Sequence, residues 1–532
     1  MIRRSVGFRS LMALLVLGLT QAGAALAGEA RNVIIFISDG AGFGAYNSAS
    51  YYEHGRLGAQ VYDQRGWHKY GSLTISTNTI NDVAKKPARE GNRTYDAASI
   101  WVADSAFAMA IAGGVPFKSY ASLLQSPTDS AAAGTALAAG SKTYNGAINY
   151  EVDDTDDVVP MHGRTIAEIA KAMGKSTGVV TSVQWSDATP ATLGGAHNVL
   201  RGNKREIANE MLNSGTLDLI MGAAHPEYDN DGAPREPTRE SDYDWVGGSF
   251  TWNLLVSGRH ALGWKLVQSK AEFEALVSGP APARVVGVPR IANTLQQRRQ
   301  TRDWNKDGRV DDLDIRMAGP FKDPFVPTVP TLKTMTRAAL NVLSRNPRGF
   351  YVMIEGGAVD WAEHANQPGR MIEEMVDFNS SVKAVEEWVG QHSNWDETLV
   401  IVTSDHETGL VWGLNSDKEP FDPIVDRGTH RMPGVSFNTG GHSNSLVPLL
   451  VRGAGSELFS AKVIGNDPVV GRFVDNTSIF EVMKAAMGGR LPAEPDDHGY
   501  YGGSNASATS HAANGSAKPA KAGDRNELLR ND

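Results

Sequence analysis

Short apolar runs recur along the chain, separated by longer stretches in which apolar residues return every three or four positions. The runs at 33–37, 71–77, 177–183, 217–221, 350–355, 398–403 and 447–451 predict buried strands. The intervening periodic stretches predict helices over 41–51, 165–173, 204–212, 331–343, 371–389 and 477–487, with Gly174 closing the second of these. Strand and helix alternate, so the pattern predicts an α/β fold. Between about 224 and 330 the alternation fails, and Gly, Pro, Trp and charged residues dominate. That stretch reads as an insertion projecting beyond the main sheet. Residues 82–95 and 151–157 read as polar connections.

Both ends carry a different pattern. Residues 1–27 have a basic start (Arg3, Arg4, Arg9), an apolar run over 11–19 and the small-residue sequence Ala25-Leu26-Ala27. This predicts an export signal cleaved after Ala27, because the apolar run is too short to span a bilayer. The main folded domain is then expected over 28–503, with a disordered tail rich in Ala, Ser, Gly and Asn over 504–532. Losing the three arginines takes the net charge from −9 to −12, which argues against a nucleic-acid-binding surface. No membrane span is expected after cleavage, and the location is periplasmic or secreted. Cysteine is absent, which excludes disulfides, thiolate metal sites and a cysteine nucleophile.

Candidate chemistry collects beside the predicted strands. Asp39 follows the first run, where ligand groups gather in open α/β sheets. In SPTDSAAAGTALAAG, small residues with helical character place Ser130 at a helix N-terminus, where free N–H groups and the dipole favour an anion. Asp187 and Thr189 are hard oxygen donors two residues apart, and Arg201 follows His197 by four. Glu355 ends a strand; Asp360 and His364, four apart, share a helix face and suit one ion. Asp405 and His406 are adjacent, and His442 precedes another strand. Mixed His and Asp donors suit zinc, whereas Asp, Thr and Glu oxygens suit magnesium. Inside 224–330, Asp303, Asn305, Asp307, Gly308, Asp311 and Asp314 fall at positions 1, 3, 5, 6, 9 and 12 of a calcium-binding loop. A terminal Asp where Glu is usual shortens the reach to the ion.

These motifs, ISDGAG, TDSAAAGTA with KTYNGAI, DATPATLGGAH, EGGAVDWAEH, SDHETG and GGHS, resemble those of the bacterial and animal alkaline phosphatases. The resemblance runs from about residue 32 to 487. It implies a large, mostly parallel central sheet with helices on both faces and an inserted subdomain. It implies phosphate monoester hydrolysis through a phosphoserine on Ser130, with Arg201 clamping phosphate. It also implies two zinc ions, one on Asp360, His364 and His442 and the other on Asp39, Asp405 and His406. A magnesium ion is implied on Asp39, Asp187, Thr189 and Glu355; calcium on the 303–314 loop stands outside the resemblance. A homodimer is left open.

The sequence departs from the family in three places. Trp361 stands where the enteric enzyme has a lysine, the enteric disulfides are missing, and the 187–197 stretch is one residue longer. Two other readings stay open: a phosphodiesterase or sulfatase of the same superfamily, and an inactive calcium-dependent binding protein on this fold.

Overall fold

Every residue of Asn32–Ile37 is buried, and its side chains divide by parity between two cores. Val33, Ile35 and Ile37 pack into one hydrophobic cluster, and Ile34 and Phe36 into another. A strand apolar on both faces belongs inside a sheet covered on both sides. Burying each such side chain contributes about 1.5–3 kcal/mol. A computed structural model describes residues 29–77, 95, 97–101, 117–152, 157–237 and 239–488. The expected export signal, the 504–532 tail and most of the 82–95 connection lie outside them.

The sheet has eleven strands: β1 (Asn32–Ile37), β2 (His68–Leu73), β3 (Ser176–Gln184), β4 (Leu219–Ala223), β5 (Lys265–Val267), β6 (Val285–Gly287), β7 (Phe350–Glu355), β8 (Thr398–Thr403), β9 (Val447–Gly453), β10 (Val463–Asp467) and β11 (Gly471–Asp475). Their order is β10-β11-β2-β9-β8-β1-β7-β3-β4-β6-β5. From β8 through β5 every neighbouring pair is parallel, whereas β9 runs antiparallel to both β8 and β2. The sheet is therefore mostly parallel. Its central register aligns Ile37 with both Thr403 and Glu355, and Glu355 with Thr181. The carboxyl ends of β8, β1 and β7 thus lie level, while β3 runs three residues further, to Gln184.

The helices that bear on the site are α1 (Phe43–His54), α2 (Ser130–Ala139), α3 (Ile166–Ala172), α4 (Ala188–Leu193), α5 (Lys204–Asn213), α6 (Leu332–Leu343), α7 (Ala358–His364), α8 (Pro368–His392) and α9 (Thr477–Ala486). All ten residues of α2 are buried. Its small side chains have a specific use: a Cβ on Gly134 would stand 2.3 Å from Thr192 Oγ1 of α4. Gly134→Ala therefore pushes α2 and α4 apart.

Three expectations need correction. The 224–330 stretch does not merely project, since β5 and β6 extend the sheet at its edge. Trp252 and Trp264 from the same stretch are buried in the main core. Strands of three residues are too short to show a period, so they escaped the pattern. The connection at 151–157 is flanked by a two-stranded ribbon, Tyr150–Val152 with Val158–Pro160. The second strand begins earlier than expected, at His68, because its first two residues are exposed and polar.

Candidate active site

Level strand ends determine where the ligands stand. Asp39 lies two residues beyond β1, Asp405 two beyond β8, and Glu355 is the last residue of β7. Gly40 must follow Asp39, because its φ is +75° and a Cβ there would lie 2.7 Å from Asp360 Oδ1. Asp405 Oδ1 accepts from the Gly40 amide at 3.2 Å and from the His406 amide at 3.0 Å. Its other oxygen, Oδ2, is buried without a partner, as is Asp39 Oδ1. Both face His406 Nε2, at 3.3 and 3.5 Å.

The second group stands against the first. Asp360 Oδ2 lies 3.3 Å from His364 Nε2 and its Oδ1 3.7 Å from His442 Nε2. His364 Nδ1 faces the Gly440 carbonyl at 2.7 Å, and His442 Nδ1 faces the Thr128 carbonyl at 2.8 Å. A carbonyl only accepts, so both Nδ1 atoms carry protons, and in the neutral form of each ring it is Nε2 that presents the lone pair. Those Nε2 atoms are 3.0 Å apart. Two lone pairs at that distance repel unless a cation or a proton sits between them. Donor atoms of Asp360, His406 and His442, and of Asp39, Asp405 and His406, form two close sets that share His406.

Like charges and burial leave their mark on the acids. Burial, then Asp405 and Asp360, push the Asp39 carboxyl well above its ordinary range. Burial, with Asp187 and Asp405 nearby, raises Glu355 to about 8. Burial and Asp360 raise Asp405 to about 7. For Asp360 the imidazoles outweigh burial and hold it low. Glu355 Oε2 and Thr189 Oγ1 are buried without partners. Unpartnered buried oxygens and facing imidazole lone pairs fit a cluster of cations, which would satisfy both.

Ser130 is the first residue of α2. Asp129 caps the helix, its side chain accepting from the Ala132 amide at 2.9 Å. Ser130 Oγ lies 3.1 Å from His406 Nε2. Arg201 is held by two carboxylates, donating to Asp129 Oδ2 at 3.2 Å and Asp187 Oδ1 at 3.1 Å. Ser130 and Arg201 stand beside the two histidine-containing sets, of which the one around Asp360 includes His406 where the sequence pointed to His364; His364 Nε2 lies 3.3 Å from Asp360.

Three contributors escaped sequence reasoning. Asp129 both caps α2 and holds Arg201; its place before Ser130 was the available signal. Thr408 Oγ1 donates to Asp360 Oδ1 at 2.6 Å, and nothing in its sequence context marks it. Glu363 is fully buried with both carboxylate oxygens unpartnered, next to His364. The Arg298 guanidinium lies 4.7 Å from the Trp361 ring centroid, so the tryptophan carries a cation on its face.

The 303–314 loop stands apart. Gly308 N–H donates to Asp303 Oδ2 at 3.0 Å, and Asp307 N–H to Asn305 Oδ1 at 2.8 Å. Asp303 Oδ1 is buried without a partner. Asp311 caps the helix Asp312–Met317, and Asp314 accepts from the amides of Trp304, Asn305 and Asp311.

A parallel-rich sheet with buried carboxylates and imidazoles at its strand ends, facing a serine at a helix N-terminus, defines a metal-dependent hydrolase of the α/β class. Residues 116–425 match the alkaline phosphatase family. Alkaline phosphatase of Escherichia coli is 28% identical over 393 residues, 68% of this chain and 74% of that one. Alkaline phosphatase 4 of Bacillus subtilis is 32% identical over 305 residues, 56% of this chain and 53% of its own. The alkaline phosphatase structure from the Antarctic bacterium TAB5 shares the fold, with a TM-score of 0.52 at 24% identity over 87% of this chain and 99% of that one. The chain belongs to the alkaline phosphatase family and is a phosphatase.

Proposed function

We propose that this phosphatase hydrolyses phosphate monoesters by transferring the phosphoryl group to Ser130 Oγ and then to water. The observation that carries the reading is Ser130 Oγ, held at a buried helix N-terminus beside the imidazole shared by two donor sets. Asp360, His364 and His442 would hold one zinc; Asp39, Asp405 and His406 would hold the other. Asp39, Asp187, Thr189 and Glu355 would hold magnesium. When bound, these ions supply Lewis acidity to the attacking and leaving oxygens and neutralise phosphate charge.

The chain itself does the positioning. Ser130 Oγ forms a bond to phosphorus as the bond to the leaving alkoxide breaks; water later takes the phosphoryl group and frees the serine. The α2 N-terminus and Arg201 hold the non-bridging oxygens. Asp129 and Asp187 fix the guanidinium before substrate arrives. Burial, then His442, keep His406 well below its ordinary range, so it stays neutral and suits a ligand role. The discriminating experiment compares initial rates on nitrophenyl phosphate, bis-nitrophenyl phosphate and nitrophenyl sulfate, alongside metal analysis. The monoester is expected to be fastest, with zinc and magnesium present; preference for diester or sulfate overturns the reading.

Arg201→Lys is expected to weaken both substrate and inorganic phosphate binding. A planar fork makes two parallel hydrogen bonds, and an ammonium only a point contact, so the loss should be about 1–3 kcal/mol. An unchanged phosphate inhibition constant would assign the clamp to another residue.

Export belongs to the same reading: the mature chain is expected to begin after Ala27, which mass measurement of the secreted or periplasmic protein checks. The catalytic domain would then cover 28–503, with 224–330 as an insertion in it.

The 303–314 loop, with Asp303, Asn305, Asp307, Asp311 and Asp314 as donors, would bind calcium for stability. An ion bound only by the folded chain adds RT ln(1 + [L]/Kd), about 2.7 kcal/mol at a hundredfold excess over Kd. Calcium should raise the unfolding temperature of the wild type and leave Asp303→Ala plus Asp307→Ala unmoved, with zinc and magnesium held fixed. Equal responses would make the loop an ordinary acidic turn.

A further inference from the structure

A second constellation of donors lies past the carboxyl end of α4 and contains none of the residues assigned to phosphoryl transfer. His197, in the connection between α4 and α5, meets Glu168 of α3 and His162, which lies in the turn before α3. One donor atom from each lies within 4.8 Å of the others. Glu168 Oε2 is 3.7 Å from His197 Nε2, and the two imidazole centroids are 4.2 Å apart.

The state of His197 is what points to a ligand. Its side chain is only 2% exposed, and its Nε2 has no hydrogen-bond partner. Its Nδ1 faces Glu210 Oε1 at 3.0 Å, while its backbone amide donates to Glu210 Oε2 at 2.8 Å. An ionised carboxylate only accepts, so Nδ1 carries the proton, and in the neutral ring it is the Nε2 lone pair that turns into the cluster. A carboxylate behind one ring nitrogen, with the other nitrogen bare, is the arrangement that fixes metal-binding histidines. Glu168 already receives the Thr165 amide and hydroxyl, at 3.1 and 2.8 Å. Both bonds fall on Oε2, so they lock the carboxylate and leave Oε1 for another partner.

We propose that His162, Glu168 and His197 bind a transition-metal ion of the zinc type at a site separate from the phosphatase centre. Two imidazole nitrogens and one carboxylate oxygen are a borderline donor set, suited to zinc and poorly suited to calcium or magnesium. Donors about 2.0–2.1 Å from a tetrahedral ion stand about 3.4 Å apart, and one donor atom from each of the three residues already lies within 4.8 Å of the others. His162 is exposed, which leaves the outer coordination position to water. The ion would tie the start of α3 to the connection that carries Arg201. It serves structure, since none of its ligands belongs to the phosphate-handling set.

The test uses the full-length, metal-loaded enzyme at fixed free zinc and excess magnesium. Zinc per chain is measured by elemental analysis for the wild type, His162→Ala and Glu168→Gln. His162→Ala removes an exposed side chain, and Glu168→Gln keeps an oxygen to cap α3, so both should fold. Each variant is expected to hold one zinc fewer per chain, keep its monoester turnover and gain less in unfolding temperature from added zinc. Equal zinc counts in the three proteins would overturn the proposal.

Discussion

Ser130→Ala should lower turnover on a phosphate monoester by on the order of a thousandfold or more, because losing a nucleophile removes the covalent route entirely. The same variant should keep its full complement of zinc and magnesium. The serine side chain is small and buried at the first position of α2, and Asp129 caps that helix through its own carboxylate. The variant therefore leaves helix and ligands in place. Quenching a reaction with labelled substrate should trap phosphoserine in the wild type and nothing in the variant. A variant with wild-type turnover, or one that still traps label, would remove Ser130 from the mechanism. Lost metal together with lost activity would assign the serine a structural role.

Stripping the metals should abolish activity and make stability fall as pH rises from 7 to 9. The sign follows from which state binds more protons. Burial raises Glu355 to about 8 and Asp405 to about 7, and both titrate near 4 when unfolded. For His364 burial acts downward, but Asp360 outweighs it and raises the imidazole to about 9. These raised groups stabilise the metal-free fold below their unfolded values, and that contribution is lost as pH climbs through the folded ones. His406 and His442 are lowered by burial, so their effect on stability ends near their unfolded value and adds little above pH 7. Asp360, held low, titrates far below the window. At 1.4 kcal/mol per unit, the summed loss is on the order of 3 kcal/mol. Bound cations keep the ligand acids ionised, so the holoenzyme should lose their share of this slope and fall less steeply than the metal-free protein. Urea unfolding at pH 7 and 9, with and without chelator, measures both. A metal-free protein as stable at pH 9 as at pH 7 would show that the ligand acids do not carry the strain described.

Much of the site was legible because its donors sit at the ends of strongly apolar strands. The runs at 350–355 and 398–403 coincide with the strands, which sets Glu355 at one carboxyl end and Asp405 two residues past the other. Ser130 was legible for a similar reason: a serine directly after an aspartate opens a run of small residues with helical character. What the sequence withheld was anything made by pairing distant segments. Thr408 reaches Asp360 across 48 positions, and Asp129 reaches Arg201 across 72. Neither contact leaves a local period. The short edge strands at 265–267 and 285–287 failed to register because three residues cannot show alternation, and tertiary pairing decided their conformation.

The place of β1 in the sheet also dictates when the enzyme can become active. The first strand of the described chain lies between two strands that begin at Phe350 and Thr398. A nascent chain therefore carries Asp39 for more than three hundred positions before its partners exist. Contacts so remote in sequence close slowly, since loop entropy is lost before the pairing rewards it. The cation-binding cluster cannot assemble on a partial chain. Hydrolytic power thus arrives only after the chain has been made past His442, and ion uptake reports that the last central strand has docked.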